Sequence, residues 1–155
     1  MTRMVDLRIK VDEQDKELLT EWRTSVGTTQ DGNQYVRVHV GKNILGTLHQ
    51  FIMGIPVNRN MCIDHINGDG LDNRRSNLRF VTATQNQANS LKRKIGKSKY
   101  KGVSFKKDKK KWVAYICPGG KYIHLGYFTE EKEAARAYNK AARKEYGEYC
   151  NLNDV

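Results

Sequence analysis

The sequence predicts an α+β chain of two small modules joined by a basic segment, and three observations carry that reading. Residues 61–89 run as a short apolar strand, a polar turn-rich loop, a second strand and a helix. Residues 100–146 run as three short strands followed by one alanine-rich helix. Between and across them, residues 92–111 hold eleven Lys or Arg and a single acid, so +10 of the net charge of +11 falls there. A charge so concentrated points to a polyanionic partner, with nucleic acid ahead of a membrane surface because no amphipathic apolar face accompanies it.

The elements follow in chain order. Residues 7–11 alternate apolar and polar as a strand does. Asp12 opens a helix that places Leu18, Leu19 and Trp22 on its buried side. Residues 27–32 read as a turn region, residues 35–40 alternate again, and Gly41-Lys42-Asn43 turns into a strand over 44–48. A short helix over 48–54 leads to Pro56, and His49 within it is read as structural. Met61-Cys62-Ile63 forms a strand ending on Asp64-His65. Adjacent residues on a regular strand face opposite ways, so that strand is expected to end or bend at His65. Asn67-Gly68 and Asp69-Gly70 tolerate the positive φ of a turn. Residues 78–81 alternate as a strand, and Thr82 with Gln85 reads as a capping box opening a helix that carries Asn86 and Asn89 on one face.

This stretch brings an acid, a histidine and an amide together, and their chemistry suits phosphodiester cleavage. His65, with an ordinary value near 6.5, can take a proton from water at neutral pH. Asp64 and the Asn86 amide oxygen could hold one divalent ion against the scissile phosphate. Two hard oxygen ligands with open positions suit Mg²⁺, or Mn²⁺ in its place. A calcium loop fits poorly, since the twelfth position counted from Asn67 or Asp69 is Leu78 or Phe80. Arg74, Arg75 and Arg79 are either an exposed charged face or phosphate contacts.

The stretch from Cys62 to Asn89 closely resembles the HNH endonuclease motif, in the subgroup reading Asp-His-x-Asn-Gly-Asp-x-x-Asp-Asn-Arg-x-x-Asn-Leu-Arg. The resemblance puts His65 at the first motif histidine, Asn77 at the central asparagine, Asn86 at the last motif residue and Asp64 at the acidic metal ligand. It implies a ββα-metal fold. It also implies that Asn77, counted with His65 among the catalytic residues, braces the loop that aims His65. Relatives often show Met-His-Arg-Leu where this chain has Leu48-His49-Gln50-Phe51, so the arginine of that turn is missing.

The C-terminal module carries a second resemblance. Tyr100-Lys101-Gly102-Val103, Trp112-Val113-Ala114, Leu125-Gly126-Tyr127-Phe128, Glu133-Ala134-Ala135-Arg136-Ala137-Tyr138 and Asn151-Leu152-Asn153 look like an AP2 DNA-binding domain. That family lays a three-stranded antiparallel sheet, packed on one helix, into the major groove. Alternation turns Val103, Phe105, Trp112, Ala114, Ile116, Ile123 and Leu125 toward the helix. Ser104, Lys106, Val113, Tyr115, Cys117, Tyr122 and His124 then face outward. Ser104, Lys106, Tyr115, Tyr122 and His124 are the expected DNA contacts on that face, with Lys101 at the strand start and Lys107 and Lys111 as further basic contacts. Plant members carry arginines and a tryptophan on this face. Their replacement here implies affinity with a relaxed or different sequence preference.

The expected organisation is therefore residues 1–91 for the nuclease module with its scaffold, 92–99 for a basic linker and 100–153 for the AP2-like domain. The expected function is a metal-dependent DNA endonuclease acting on double-stranded DNA as a monomer that nicks one strand. The pairing of modules resembles homing endonucleases of phages or other mobile elements. A non-catalytic DNA-binding regulator that keeps the nuclease fold is the alternative. No run of eighteen apolar residues and no apolar N-terminal segment occur, and three cysteines form no C-x-x-C pair. Those features point to a soluble protein of a reducing cytoplasm, that of a bacterial host if phage-encoded, and away from membrane, secretion and structural zinc.

Overall fold

The computed structural model describes residues 6–30, 32–54, 58, 60–90 and 97–155. The chain divides into two compact units, residues 1–82 and 83–155. The module boundary expected at residue 91 and most of the expected linker fall at 91–96, outside the described residues.

The first unit is a three-stranded antiparallel sheet with a separate two-stranded hairpin. Strand β1 (Arg23–Thr28) pairs with β2 (Gln34–Val40), and β2 with β3 (Asn43–Thr47). Helix α1 (Glu17–Glu21) precedes them, and α2 (Leu48–Met53) follows β3 directly. Alternation in β2 turns Val36 and Val38 inward, where they are buried with Leu19, Leu48, Ile52, Leu71 and Leu78. A capping box starts α2: the Thr47 amide donates to Gln50 Oε1 at 3.0 Å, satisfying one orphan donor of the helix start. The hairpin pairs β4 (Met61–His65) with β5 (Leu78–Thr82), setting Asp64 opposite Arg79 and His65 opposite Leu78.

Two local expectations change. Residues 7–11 form no strand. Lys10 alone makes a parallel bridge to Asp72, and Leu7 is fully exposed, so the alternation there lacks a ladder to join. Residues 23–28, of which 27 and 28 were read as turn, form β1, because antiparallel pairing with β2 outweighs the weak strand preference of Ser25 and Gly27. The β4 ladder ends at His65, as expected, with His65 opposite Leu78 as its last pair. Asp64 and His65 are both buried, so this strand end is covered on both faces.

The second unit opens with α3 (Ala83–Asn89), the helix expected after Thr82. A three-stranded antiparallel sheet follows, β6 (Val103–Lys106), β7 (Lys111–Ile116) and β8 (Ile123–Phe128), then the long helix α4 (Glu131–Tyr146). Ala134, Ala135 and Ala142 are wholly buried, and their small side chains let α4 lie close against Val103, Ala114 and Ile116. Gly102 is required here. Its φ is +70°, and a Cβ would collide with the Tyr138 ring and the Tyr115 carbonyl. Val113, expected to face outward, is buried. It stands between Ser104 and Tyr127 in the ladder, and those neighbours cover a small side chain.

Candidate functional site

The loop between β4 and β5 holds its shape through its own polar side chains. Asn67 Oδ1 accepts from the Asp69 amide at 2.9 Å and Asp69 Oδ1 from the Leu71 amide at 3.0 Å, two Asx turns in succession. Asn77 sits at the centre. Its Oδ1 accepts from the Asn67 amide at 3.0 Å, and its Nδ2 donates to Asn67 Oδ1 at 3.0 Å and to the Asp72 carbonyl at 2.7 Å. Its backbone carbonyl takes the Ile66 amide at 2.9 Å. One asparagine thus ties both ends of the loop immediately after His65. Gly70 lets the loop press on β2, since a Cβ would strike the Gln34 carbonyl and the Tyr35 ring.

His65 is buried beside this loop. Its Nε2 lies 3.3 Å from Asn73 Oδ1, and Asn73 is wholly buried. The Asn73 amide nitrogen turns the other way, donating to the Gly70 carbonyl at 3.4 Å. An amide oxygen only accepts, so Nε2 carries the hydrogen and Nδ1 is the basic nitrogen of the ring. His49 meets the ring edge-on at 5.0 Å between centroids, and Tyr35 lies 5.9 Å away. Burial lowers the His65 imidazole below its ordinary 6.5, against the opposing pull of the Asn73 bond and the charges of Asp64, Asp69 and Asp72. The ring is therefore neutral at pH 7. Burial, helped by His65, brings His49 down to about 4. His49 Nε2 bonds Thr47 Oγ1 at 2.9 Å, while Nδ1 is the one buried side-chain polar atom without a hydrogen-bond partner among the described residues.

Asp64 is paired across the hairpin with Arg79, whose Nε and Nη2 stand 3.1 and 3.0 Å from Oδ2. The other two arginines of the stretch are likewise engaged. Arg74 grips Asp72 at 2.8 and 2.6 Å, and Arg75 grips Asp15 at 2.9 and 2.7 Å. Each guanidinium expected at phosphate thus already holds a carboxylate. Among the described residues no three His, Cys, Asp or Glu side chains converge into a metal cluster. The buried Asp64 carboxylate is a hard oxygen donor of the kind that Mg²⁺ accepts. Asn86 lies on α3 and belongs to the second unit.

The outward face of the C-terminal sheet carries aromatic groups. Tyr115 stacks on Tyr122 at 5.0 Å and 19°, and His124 meets Tyr127 at 4.7 Å. Lys109 stands 4.2 Å over the Tyr127 ring, and Lys106 and Lys111 face each other where β6 and β7 turn. Lys101, expected at the DNA, instead directs its ammonium to three backbone carbonyls at the end of α3. His49, read as structural, stands beside His65, while Asn73 and Tyr35 are the site neighbours that sequence reasoning passed over. Only Asn73 left a signal, as part of the Asp72-Asn73-Arg74 segment of the motif.

Comparison with known proteins agrees with both halves of this description. A family model described as HNH endonuclease matches residues 53–88, and one described as AP2 domain matches residues 98–148. An HNH endonuclease of Acanthamoeba polyphaga mimivirus, itself named as uncharacterized, is 30% identical over 112 residues, covering 70% of this chain and 57% of that protein. The AP2-like ethylene-responsive transcription factor TOE2 of Arabidopsis thaliana is 40% identical over 58 residues, and APETALA2-like protein 2 of Oryza sativa 39% over 56. The chain spans little more than half the length of the mimivirus protein, and 12% and 13% of the plant factors. No solved structure matches it significantly. Among the described residues no helix is long and apolar enough to cross a membrane. The chain therefore combines an HNH endonuclease domain over residues 53–88 with a C-terminal AP2 domain over residues 98–148.

Proposed function

We propose that this chain is a metal-dependent endonuclease of the homing type that nicks one strand of duplex DNA, positioned there by its AP2 sheet. The observation that carries the reading is the His65–Asn73 hydrogen bond, which fixes a neutral imidazole with Nδ1 basic beside the buried Asp64 carboxylate. In this mechanism His65 Nδ1 accepts a proton from the attacking water, and Asn73 stabilises the imidazolium that forms through the same bond. Asn77 keeps the loop closed so that the His65 ring holds its aim. Asp64, with Asn86 by its place in the motif, would hold the Mg²⁺ or Mn²⁺. When bound, the ion supplies charge that polarises the phosphate and eases departure of the leaving oxygen.

The AP2 sheet binds through Ser104, Lys106, Tyr115, Tyr122 and His124, with Lys107 and Lys111 meeting phosphate. Tyrosine and histidine stack and accept or donate single hydrogen bonds, where arginine forks would read guanine bidentately. The test is supercoiled plasmid incubated with the protein in Mg²⁺ and in EDTA. Open-circular product in Mg²⁺ and none in EDTA is expected. Binding without cleavage in either would favour a DNA-binding regulator, and cleavage in EDTA would remove the metal from the account.

A further inference from the structure

Helix α3 carries the last motif residue, Asn86, and its C-terminal end is closed by a side chain of the AP2 domain. Lys101 Nζ donates to the carbonyls of Gln87 at 3.0 Å, Ala88 at 2.6 Å and Ser90 at 2.8 Å. Three ammonium protons meet three acceptors. A helix leaves its last four carbonyls without intrahelical partners and favours a cation at that end, so this contact answers both needs. The Asn151 amide adds a bond to the Ala88 carbonyl at 3.1 Å. Lys101 is itself held firmly. Its amide donates to Asn153 Oδ1 at 2.7 Å, and Asn153 Nδ2 donates to its carbonyl at 3.1 Å. Asn139 on α4 then fixes the Asn153 backbone through two bonds of 2.8 Å. A continuous chain of hydrogen bonds thus runs from α4 through the C-terminal segment to Lys101 and into α3. At seven residues, α3 is too short to persist on its own propensity.

We propose that Lys101 is a positioning residue of the nuclease, seating α3 and with it Asn86, so that the metal-ligand helix depends on the AP2 domain for its structure. This rests on the nuclease reading, in which Asn86 is a ligand of the divalent ion. It also gives Lys101 a role other than DNA contact.

The test uses the full chain with Lys101→Met and Lys101→Arg. Three quantities are read: hydrogen exchange of the amides at 87–90, the Mg²⁺ concentration for half-maximal cleavage, and plasmid affinity. Lys101→Met is expected to speed exchange at 87–90 by about tenfold or more. It should raise the Mg²⁺ requirement by about tenfold, as loss of a supporting contact to a metal ligand does. Affinity should stay at the wild-type value, and Lys101→Arg should restore both other readouts. Unchanged exchange in Lys101→Met would overturn the clamp, and faster exchange with an unchanged Mg²⁺ requirement would overturn its bearing on the site. A fall in affinity matching the fall in cleavage would return Lys101 to the DNA. If the wild-type chain does not cut, the nuclease reading fails, while the exchange result still decides whether Lys101 seats α3. Should Lys101→Met not fold, Lys101→Gln, which keeps two donors on a shorter stem, makes the same comparison.

Discussion

Asn73 Oδ1 stands 3.3 Å from His65 Nε2, and nothing of Asn73 reaches solvent. The bond selects one tautomer of the proposed general base. Asn73→Leu keeps the volume and removes the acceptor, so kcat should fall by about 10²-fold or more while DNA affinity holds. Asn73→Asp, which still accepts from Nε2–H, should recover part of that loss. Single-turnover cleavage rates with parallel melting curves make the check, and a wild-type rate in folded Asn73→Leu would show that the tautomer is set elsewhere.

Acid should loosen the first unit through His49. Its folded value of about 4 lies below the ordinary 6.5, so the unfolded chain binds the extra proton between those values. The stability from keeping His49 neutral is fully present above about pH 6.5 and is lost as pH falls toward 4. The shift corresponds to at most about 3 kcal/mol. His49→Phe keeps an aromatic ring against His65 and cannot titrate, so its denaturation midpoint should depend less on pH over that window. Parallel midpoint-versus-pH curves for the two proteins would count against the assignment.

The arginines and lysines should separate in salt titrations of DNA binding. Arg74 and Arg75 hold Asp72 and Asp15, so Arg74→Ala and Arg75→Ala should leave the log–log salt slope nearly unchanged. Each should lower stability, because a buried carboxylate loses its partner. Replacing Lys106, Lys107 and Lys111 with Ala should instead flatten the slope by about 0.9 per phosphate released. A flattened slope in Arg75→Ala would show that this side chain leaves Asp15 for DNA.

These contrasts mark what sequence could and could not say. The β4–loop–β5 stretch was legible because its polar residues bond within a few positions of one another, as Asn67, Asp69 and Asn77 do. The C-terminal strands were legible for a similar reason, since turns at Asp108 and at Pro118-Gly119-Gly120 bound short alternating runs. Partners far along the chain were not legible. Arg75 and Asp15 lie sixty positions apart, and nothing in either neighbourhood announces the pair. Strand β1 was hidden because Ser25 and Gly27 weaken its pattern, and only pairing with β2 makes it a strand. Lys101 occupied a family DNA-contact position, and its turn toward α3 depends on carbonyls that exist only once that helix has formed.

Gly102 should resist substitution for two separate reasons. Ala at φ +70° is strained by about 1–2 kcal/mol, and the Cβ would overlap Tyr138 and the Tyr115 carbonyl for about 1–3 kcal/mol more. Gly102→Ala should therefore lower the denaturation midpoint of the AP2 domain and weaken DNA binding with it. An unchanged melting curve would mean that the β6 entry is free to shift.

The central claim is that His65 takes the proton from the attacking water. Wild type and His65→Ala should be compared in Mg²⁺ on supercoiled plasmid carrying a cleavable site, with bound DNA measured in the same samples. Wild type should give open circle first and linear DNA only later. His65→Ala should bind equally and cut on the order of 10²–10⁴-fold more slowly. Equal rates of open-circle formation by the two proteins would contradict the account.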